Sequence, residues 1–344
     1  MQNQVLWSLK NDYNRLKTNV KQLEIGGYFG LDVRSGRHFH EKARRYNTAR
    51  SALISVCNAL QAQANQPLKL LLPRFNCPDI AAALETHTEF EICFYGIDEN
   101  LDPILPDAAD INSVLYFVNL FGLKSDFLVQ LPEKTIIDNV HAFFAPPIDG
   151  AHTIYSARKF FGVPDGAYLY TNLVIDEPPT YVSWEDSGYL LQRVDVGARA
   201  GYALFQRAEH ALSVSPVRSM SALSQALLGS LDYRGFAQQR RINFEYLHAR
   251  LGASNELSRL IDLAIADRKY VPFCYPHLRE NGEHVRSFLI ANGVFVPQYW
   301  TGIANNVQAT LFEKHLATNC LHLPIDHRYG LAEMDEIVVR MNIA

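Results

Sequence analysis

Residues 135–171 read TIIDNVHAFFAPPIDGAHTIYSARKFFGVPDGAYLYT. Asp138 directly follows the first apolar run of this stretch, and Lys159 follows the second run by a few residues. Ligand sites of open α/β sheets lie at the carboxyl ends of the strands. We therefore expect an acid and a lysine to lie together at one sheet edge. Three short runs have the length and the β-branched or aromatic content of buried strands: 135–137, 153–155 and 167–170.

An acid and a lysine in this arrangement suit pyridoxal 5'-phosphate (PLP). This cofactor forms a Schiff base with a lysine amine, and it needs a carboxylate against its ring nitrogen to keep the ring protonated. Lys159 and Asp138 are therefore the predicted catalytic residues. Each residue alone has an ordinary alternative, an Asp that caps a helix and a Lys on a solvated loop.

The order of these residues resembles the DegT/DnrJ/StrS family of sugar aminotransferases. That family has acid-Asp-x-x-Gln/His, then Ser-x-x-x-x-Lys, then Gly-Asp/Glu-Gly-Gly/Ala before a strand. Asp138 to His141, Lys159 and residues 165–167 match this pattern, whereas Ser156 departs from it, lying three residues before the lysine instead of five. The resemblance implies the α/β fold type I of PLP-dependent transferases, with a mostly parallel central sheet in a large domain and a smaller C-terminal α+β domain.

A helix is predicted from about residue 47 to residue 64. Its first turn offers free N–H groups and the positive end of the helix dipole, which together can bind a phosphate. The resemblance implies that the PLP phosphate binds here, with Ala49 and Arg50 in place of the family's Gly and Thr. Ser51 and backbone amides are then the candidate phosphate ligands. Asn47 as a simple helix cap explains the same letters equally well.

Cys77 stands where the family has an aromatic residue that stacks on the cofactor ring. Phe75 or His141 could cover the ring instead, although a core position is the better prediction for Phe75. Asn119 replaces the family's His in the segment 119–122. The complete predicted set of cofactor-binding residues is Lys159, Asp138, His141, Arg50, Ser51, Ala49, Cys77 and Ser156.

Three segments are predicted along the chain: an N-terminal arm (1–45), a large PLP-binding domain (46–222), and a linking helix with a small C-terminal domain (223–344). Strands alternating with helices in the second segment indicate a mostly parallel sheet. Amphipathic patterns predict one helix over 185–213 and another from about 223 to 251. In the small domain, the sequence predicts strands over 270–275 and 294–297.

The composition of the 344 residues is that of an ordinary globular protein, with a formal net charge of -4. This charge argues against a general nucleic-acid or membrane-surface binder. The N-terminus has no signal-peptide pattern, and no apolar run is long enough to span a membrane, so we expect a cytoplasmic protein. Five scattered cysteines predict neither a disulfide framework nor a zinc site, and we expect no metal.

The resemblance implies a PLP-dependent aminotransferase that moves an amino group, with glutamate as donor, to the keto sugar of a nucleotide sugar, in surface polysaccharide or amino-sugar biosynthesis. Lysine at 159, where the family's dehydratase branch has histidine, favours transamination. A homodimer is expected because segment 215–227 resembles one that reaches a neighbouring subunit, with Ser215 in that role. Two alternatives remain, another PLP reaction on this fold and a PLP-binding regulatory protein with reduced catalysis.

Overall fold

The computed structural model describes residues 25–34, 36–106, 110–124, 134–267 and 270–344. The chain divides into two compact units, 1–33 and 34–344. Residues 1–24 of the predicted arm lie outside the described residues. In the first unit, the described residues 25–33 form neither helix nor strand, and Tyr28 and Phe29 are exposed.

The second unit is organised around a sheet in which eight strands are described. Neighbouring strands lie in the order β1-β8-β7-β6-β5-β2-β3-β4, and the central five, from β7 to β3, pair in parallel. The α/β class and the mostly parallel central sheet are thereby confirmed. The strands are β1 (Arg44–Tyr46), β2 (Lys69–Pro73), β3 (Glu91–Ile97), β4 (Pro103–Ile104), β5 (Ser113–Val118), β6 (Thr135–Asp138), β7 (His152–Ser156) and β8 (Ala167–Tyr170).

The register of three parallel strands places the candidate acid at the sheet edge. Asp138, the last residue of β6, pairs with Val118 of β5 on one side and with Ile154 of β7 on the other. Every residue of β6 and β7 is buried, as expected for parallel strands that are covered on both faces. Lys159 follows β7 in a short 3-10 turn, Ala157–Lys159. The two residues therefore emerge from adjacent strands.

No helix in the described part of the chain is long and apolar enough to cross a bilayer. Helices pack around this sheet and build the C-terminal part of the unit. They are α1 (Ala49–Gln63), α2 (Pro78–His87), α3 (Gly188–Val196), α4 (Ala198–Ser213), α5 (Ala222–Gly229), α6 (Tyr233–Leu251), α7 (Ser258–Asp267), α8 (Gly282–Ala291), α9 (Leu311–Asn319) and α10 (Leu331–Ile343).

Two predicted helices are each broken in the structure. Residues 185–213 form a 3-10 turn followed by α3 and α4, which meet at Gly197 with φ of +92°. Such a backbone conformation suits glycine and ends a helix. The helix predicted over 223–251 divides into α5 and α6, because the Asp232 side chain caps a new helix start by accepting from the Gly235 amide at 3.0 Å.

The small sheet contains different strands from those predicted. Residues 270–274 and 294–297 are not strands; the antiparallel pair is β9 (Tyr275–Leu278) with β10 (Cys320–Leu323). The segment before β9 instead bonds to a loop of the large sheet, since the Phe273 amide donates to the Phe121 carbonyl at 3.2 Å.

Candidate active site

Asp138 is an almost fully buried carboxylate, 3% exposed, at the end of β6. One oxygen accepts from the Val140 amide at 2.8 Å, and the other accepts from the Tyr116 hydroxyl. Burial raises the pKa of Asp138 to about 6, while the two donors and the nearby Lys159 charge work in the opposite direction. A carboxylate oxygen has two acceptor sites, so each oxygen keeps capacity for a further donor.

The Lys159 amine lies among aromatic rings. Its Nζ is 5.2 Å from the centre of the Tyr299 ring and 5.8 Å from that of Phe273. It has no hydrogen bond or ion pair within the described residues. The residue retains solvent access, yet enough protein surrounds the amine that desolvation lowers its pKa below the ordinary value of 10.5. A lysine with a lowered pKa supplies more of the neutral, nucleophilic amine.

His141 lies at the centre of an aromatic stack. Its ring is parallel to that of Phe273 with centres 4.6 Å apart, and it is nearly parallel to Phe121 and Trp300 at 6.1 Å each. Desolvation first, and then the charge of Lys159, holds the pKa of His141 well below 6.5, so the imidazole is neutral. Phe121 and Trp300 both have positive φ, 58° and 54°. Such strain in non-glycine residues tends to occur at functional sites.

His322 adds a second buried imidazole to the same region. Its Nδ1 is 3.1 Å from the Pro297 carbonyl, and its ring meets Tyr299 edge to face at 4.5 Å. Burial first, with the charge of Lys159 acting in the same direction, lowers the pKa of His322 to about 4. Tyr299 and His322, which come from the C-terminal part of the chain, therefore lie near the lysine that β7 delivers.

The N-terminus of α1 is capped by Thr48 and not by Asn47. The Thr48 hydroxyl accepts from the Ser51 amide at 3.0 Å and lies 2.9 Å from the Ser51 hydroxyl. The amides of Ala49 and Arg50 have no hydrogen-bond partner among the described residues, as is normal in the first helical turn. These two amides could bind a phosphate, whereas the Ser51 hydroxyl is already engaged by the cap.

Arg50 belongs to the first turn of α1, and Cys77 directly precedes α2. The Arg50 guanidinium donates to the Leu212 carbonyl at 3.2 Å and pairs with Asp79 at 3.8 Å. Burial raises the pKa of the Cys77 thiol, and the charges of Lys159 and Arg50 both act on it in the opposite direction. Cys77 is therefore close to both groups, and it stays a neutral thiol.

Asp165 has a structural role in this chain. Its buried carboxylate accepts from the Ser221 amide at 2.8 Å and from the hydroxyls of Ser221 and Ser224 at 2.5 Å each. The following Gly166 has φ of +135° and donates to the Asn47 carbonyl at 2.7 Å. Asp165 and Gly166 thus join the start of β8 to the starts of α5 and α1.

Ser156 and Ser215, the other two serines that the sequence analysis names, have different surroundings. Ser156 ends β7 and is buried, and its hydroxyl has no hydrogen-bond partner among the described residues. Ser215 accepts from the Asn47 side chain at 3.1 Å and donates to the Pro216 carbonyl at 3.2 Å. Within one chain, Ser215 is therefore beside the residue that precedes the α1 cap. A role toward a second subunit stays a prediction.

A buried arginine supports the loops on both sides of Lys159. Arg240 of α6 donates to the Phe160 carbonyl at 3.2 Å and to the Phe273 carbonyl at 3.1 Å, and its guanidinium lies 4.5 Å from the Phe160 ring centre. Burial lowers the pKa of Arg240 to about 10, which leaves it charged at neutral pH. Arg240 thereby fixes the backbone of Phe160, which follows Lys159, and of Phe273, whose ring lies near the Lys159 amine.

The side chains fit the cofactor that the sequence predicts. The buried Asp138 carboxylate has spare acceptor capacity, and it is close enough to Lys159 that the lysine charge acts on its pKa. Within the described parts of the chain, the Lys159 amine has no polar partner. PLP needs one group for its ring nitrogen and one for its aldehyde. Unpaired helix amides at Ala49 and Arg50 provide a place for its phosphate.

Comparison with known proteins gives solved structures only, since no family model and no curated protein matches the chain. A DegT DnrJ EryC1 StrS aminotransferase from Brucella abortus has 14% identity and a TM-score of 0.55, covering 87% of this chain and 85% of its own. The PLP form of Spr1654 from Streptococcus pneumoniae, a putative sugar aminotransferase, has 16% identity and a TM-score of 0.55, covering 87% and 86%. S. venezuelae DesV has 16% identity and a TM-score of 0.58, covering 87% and 83%.

This chain has the fold of those aminotransferases. At such low identity the likeness concerns the fold alone, and it confirms fold type I of the PLP-dependent transferases. The structure adds residues that the sequence prediction of the site did not include. Tyr116, Phe273 and His322 lie outside residues 135–171, and only the register of the strands and the course of the C-terminal loops bring them to the site.

Proposed function

We propose that this protein is a PLP-dependent aminotransferase that transfers an amino group, with glutamate as donor, to the keto sugar of a nucleotide sugar. The observation that carries the proposal is the pair formed by Lys159 and Asp138. Their groups emerge from adjacent parallel strands, the amine has no polar partner among the described residues, and the acid is buried. The fold is that of proteins described as an aminotransferase and as a putative sugar aminotransferase, which supports the choice of reaction.

Asp138 would hold the proton on the ring nitrogen of the cofactor. PLP supplies an electron sink for the carbon that gives up its proton, and the sink is stronger when that nitrogen is protonated. A carboxylate in a site of low dielectric interacts strongly with a positive ring nitrogen. The Val140 amide and the Tyr116 hydroxyl fix the direction of the Asp138 oxygens.

Lys159 would hold the cofactor through its side-chain amine. The same amine, when neutral and free, would serve as the base that takes a proton from the carbon of the amino donor. The lowered pKa of Lys159 favours this neutral state.

The acceptor is proposed to be an anionic nucleotide sugar rather than a free keto acid. Enzymes that aminate keto acids need an arginine free to clamp the carboxylate in a bidentate fork. The two arginines near the chain end, Arg328 and Arg340, are engaged by neighbouring acids, Arg328 with Asp326 at 2.6 Å and 2.9 Å, and Arg340 with Glu336. Tyr299 offers an aromatic face near the lysine, where a sugar ring or a base could stack.

The remaining predictions belong to this proposal. We propose a homodimer, a large PLP-binding domain over 46–222 followed by a small domain over 223–344, and a cytoplasmic reaction that serves surface polysaccharide or amino-sugar biosynthesis. The five cysteines are free, as a reducing compartment would keep them.

Glutamate added to the purified protein tests the reaction class. The absorbance of bound PLP should convert to that of the pyridoxamine form, and a nucleotide keto sugar should reverse the change faster than pyruvate or oxaloacetate. Asp138→Asn is the matched variant, because it keeps the side-chain shape and removes the charge. Retained PLP without conversion would support the regulatory alternative, and product without transfer of the amino group would support another PLP reaction. Faster reversal by keto acids would contradict the choice of acceptor.

A further inference from the structure

A tyrosine on the strand beside Asp138 contacts the carboxylate directly. Tyr116 lies on β5 two residues before Val118, which pairs with Asp138 in the parallel register. Residues two apart in a strand project from the same face. The Tyr116 side chain therefore extends along the face that carries Asp138, and its hydroxyl donates to Oδ2.

This contact lies in a dry part of the sheet. Tyr116 is 2% exposed and Asp138 is 3% exposed, so water does not replace the hydroxyl if it is lost. The Tyr116 hydroxyl is the first of the groups that lower the pKa of Asp138 against the effect of burial, ahead of the Val140 amide and the Lys159 charge. Hydrogen bonds to a charged form favour that form.

We propose that Tyr116 is a positioning residue that keeps Asp138 ionised and orients its carboxylate toward the ring nitrogen of the cofactor. The first part of this proposal, the ionisation part, is that Tyr116 keeps Asp138 charged, and it concerns this chain alone. The second part, the orientation part, is that Tyr116 directs the carboxylate toward the cofactor, and it rests on the proposed function. A neutral Asp138 could not hold a proton on the ring nitrogen, because it lacks the negative charge that stabilises the protonated ring. Tyr116 thereby acts on the electron sink without contacting the reacting atoms.

Tyr116 can only be a donor in this pair. Burial and the adjacent negative charge of Asp138 raise its pKa well above 10, so the hydroxyl keeps its proton throughout the neutral range. Because the proton stays on Tyr116, the interaction is a fixed hydrogen bond and not a proton relay. Its removal should therefore shift the titration of Asp138 without adding a second titrating group.

The chain provides a matched control in Tyr95 of β3. Tyr95 is also 2% exposed, and its hydroxyl donates to the Tyr116 backbone carbonyl at 2.8 Å instead of to the carboxylate. Tyr95→Phe removes the same atom from the same buried part of the sheet, yet it leaves both Asp138 oxygens with their donors. A purely structural effect of losing a buried hydroxyl should appear in both variants.

The first experiment measures the carboxylic acid band of Asp138 by infrared difference spectroscopy on the cofactor-free protein, with Asp138→Asn to assign the band. Tyr116→Phe should bind the Asp138 proton about tenfold more tightly or more, as expected when a charged acceptor loses a hydrogen bond. Tyr95→Phe should titrate like the unmodified protein. If Tyr116→Phe folds poorly, 3-fluorotyrosine inserted at position 116 is a stronger donor and should shift the titration in the opposite direction.

The second experiment loads each protein with PLP labelled with nitrogen-15 in its ring and measures the nitrogen chemical shift. Tyr116→Phe should move the signal toward that of the unprotonated ring, and Tyr95→Phe should not. Unchanged titration of Asp138 in Tyr116→Phe would overturn the proposal even in an active enzyme. A chain that binds no PLP would overturn the proposed function and with it the orientation part, while the infrared shift alone would still decide the ionisation part.

Discussion

Asp138→Asn should change how the stability of the cofactor-free protein depends on pH. Burial raises the pKa of Asp138 from 3.8 to about 6 in the folded chain. A folded state with the higher pKa binds the proton more tightly than the unfolded state does. The resulting stabilisation is therefore full below pH 3.8 and is lost as the pH rises through 6.

The size of this effect follows from the two pKa values. One pKa unit corresponds to about 1.4 kcal/mol, so the whole contribution is worth roughly 3 kcal/mol. About half of it, roughly 1.5 kcal/mol, should be lost between about pH 5 and about pH 8. The side chain is 3% exposed, so solvent screens the effect little.

Urea unfolding of the cofactor-free protein at both pH values measures this loss. The unmodified protein should lose roughly 1.5 kcal/mol more free energy of unfolding than Asp138→Asn between the two conditions. Asp149→Asn is the control, because Asp149 is exposed, and this variant should follow the unmodified protein. Equal pH dependence in the unmodified protein and in Asp138→Asn would refute the inference that Asp138 holds a raised pKa.

Three further predictions concern the frame of the site. Thr48→Ala removes the α1 cap and should lower the free energy of unfolding by about 1 kcal/mol, measured by urea unfolding; no change would argue against the cap. Arg240→Leu leaves the Phe160 and Phe273 carbonyls without their donor and should lower the free energy of unfolding by roughly 3 kcal/mol or more in the same assay. Near-normal stability would contradict the inference that Arg240 supports these two loops. The protein should be a homodimer by light scattering at micromolar concentration, and an active, PLP-bound monomer would contradict this.

The position of Asp138 and Lys159 at one sheet edge could be predicted because its signal is local. Two short β-branched runs specify buried strands, and the polar residues that follow them must lie at the carboxyl edge of a parallel sheet. Asp138 and Lys159 therefore follow from the sequence without knowledge of the rest of the fold. The start of α1 was predicted to within two residues, but its cap was assigned to the wrong neighbour, since Asn47 and Thr48 are both good capping residues.

The surroundings of the pair could not be predicted in the same way. Strand periodicity indicates that Tyr116 is buried, but only the parallel register with β6 indicates that its hydroxyl meets Asp138. Phe273 lies in a run that was predicted as a strand and is a loop, and Tyr299 lies in the loop after a second such run. Their position near Lys159 depends on contacts between distant segments, which a local pattern does not contain.

Reduction of the PLP-loaded protein with borohydride tests the central claim most directly. Borohydride joins the cofactor permanently to the lysine that carries it, and peptide mapping by mass spectrometry identifies that residue. We predict a single modified peptide with the cofactor on Lys159, and no such product from Lys159→Met. A modified peptide that carries the cofactor on another lysine, or a yellow protein that yields no lysine adduct, would contradict the assignment.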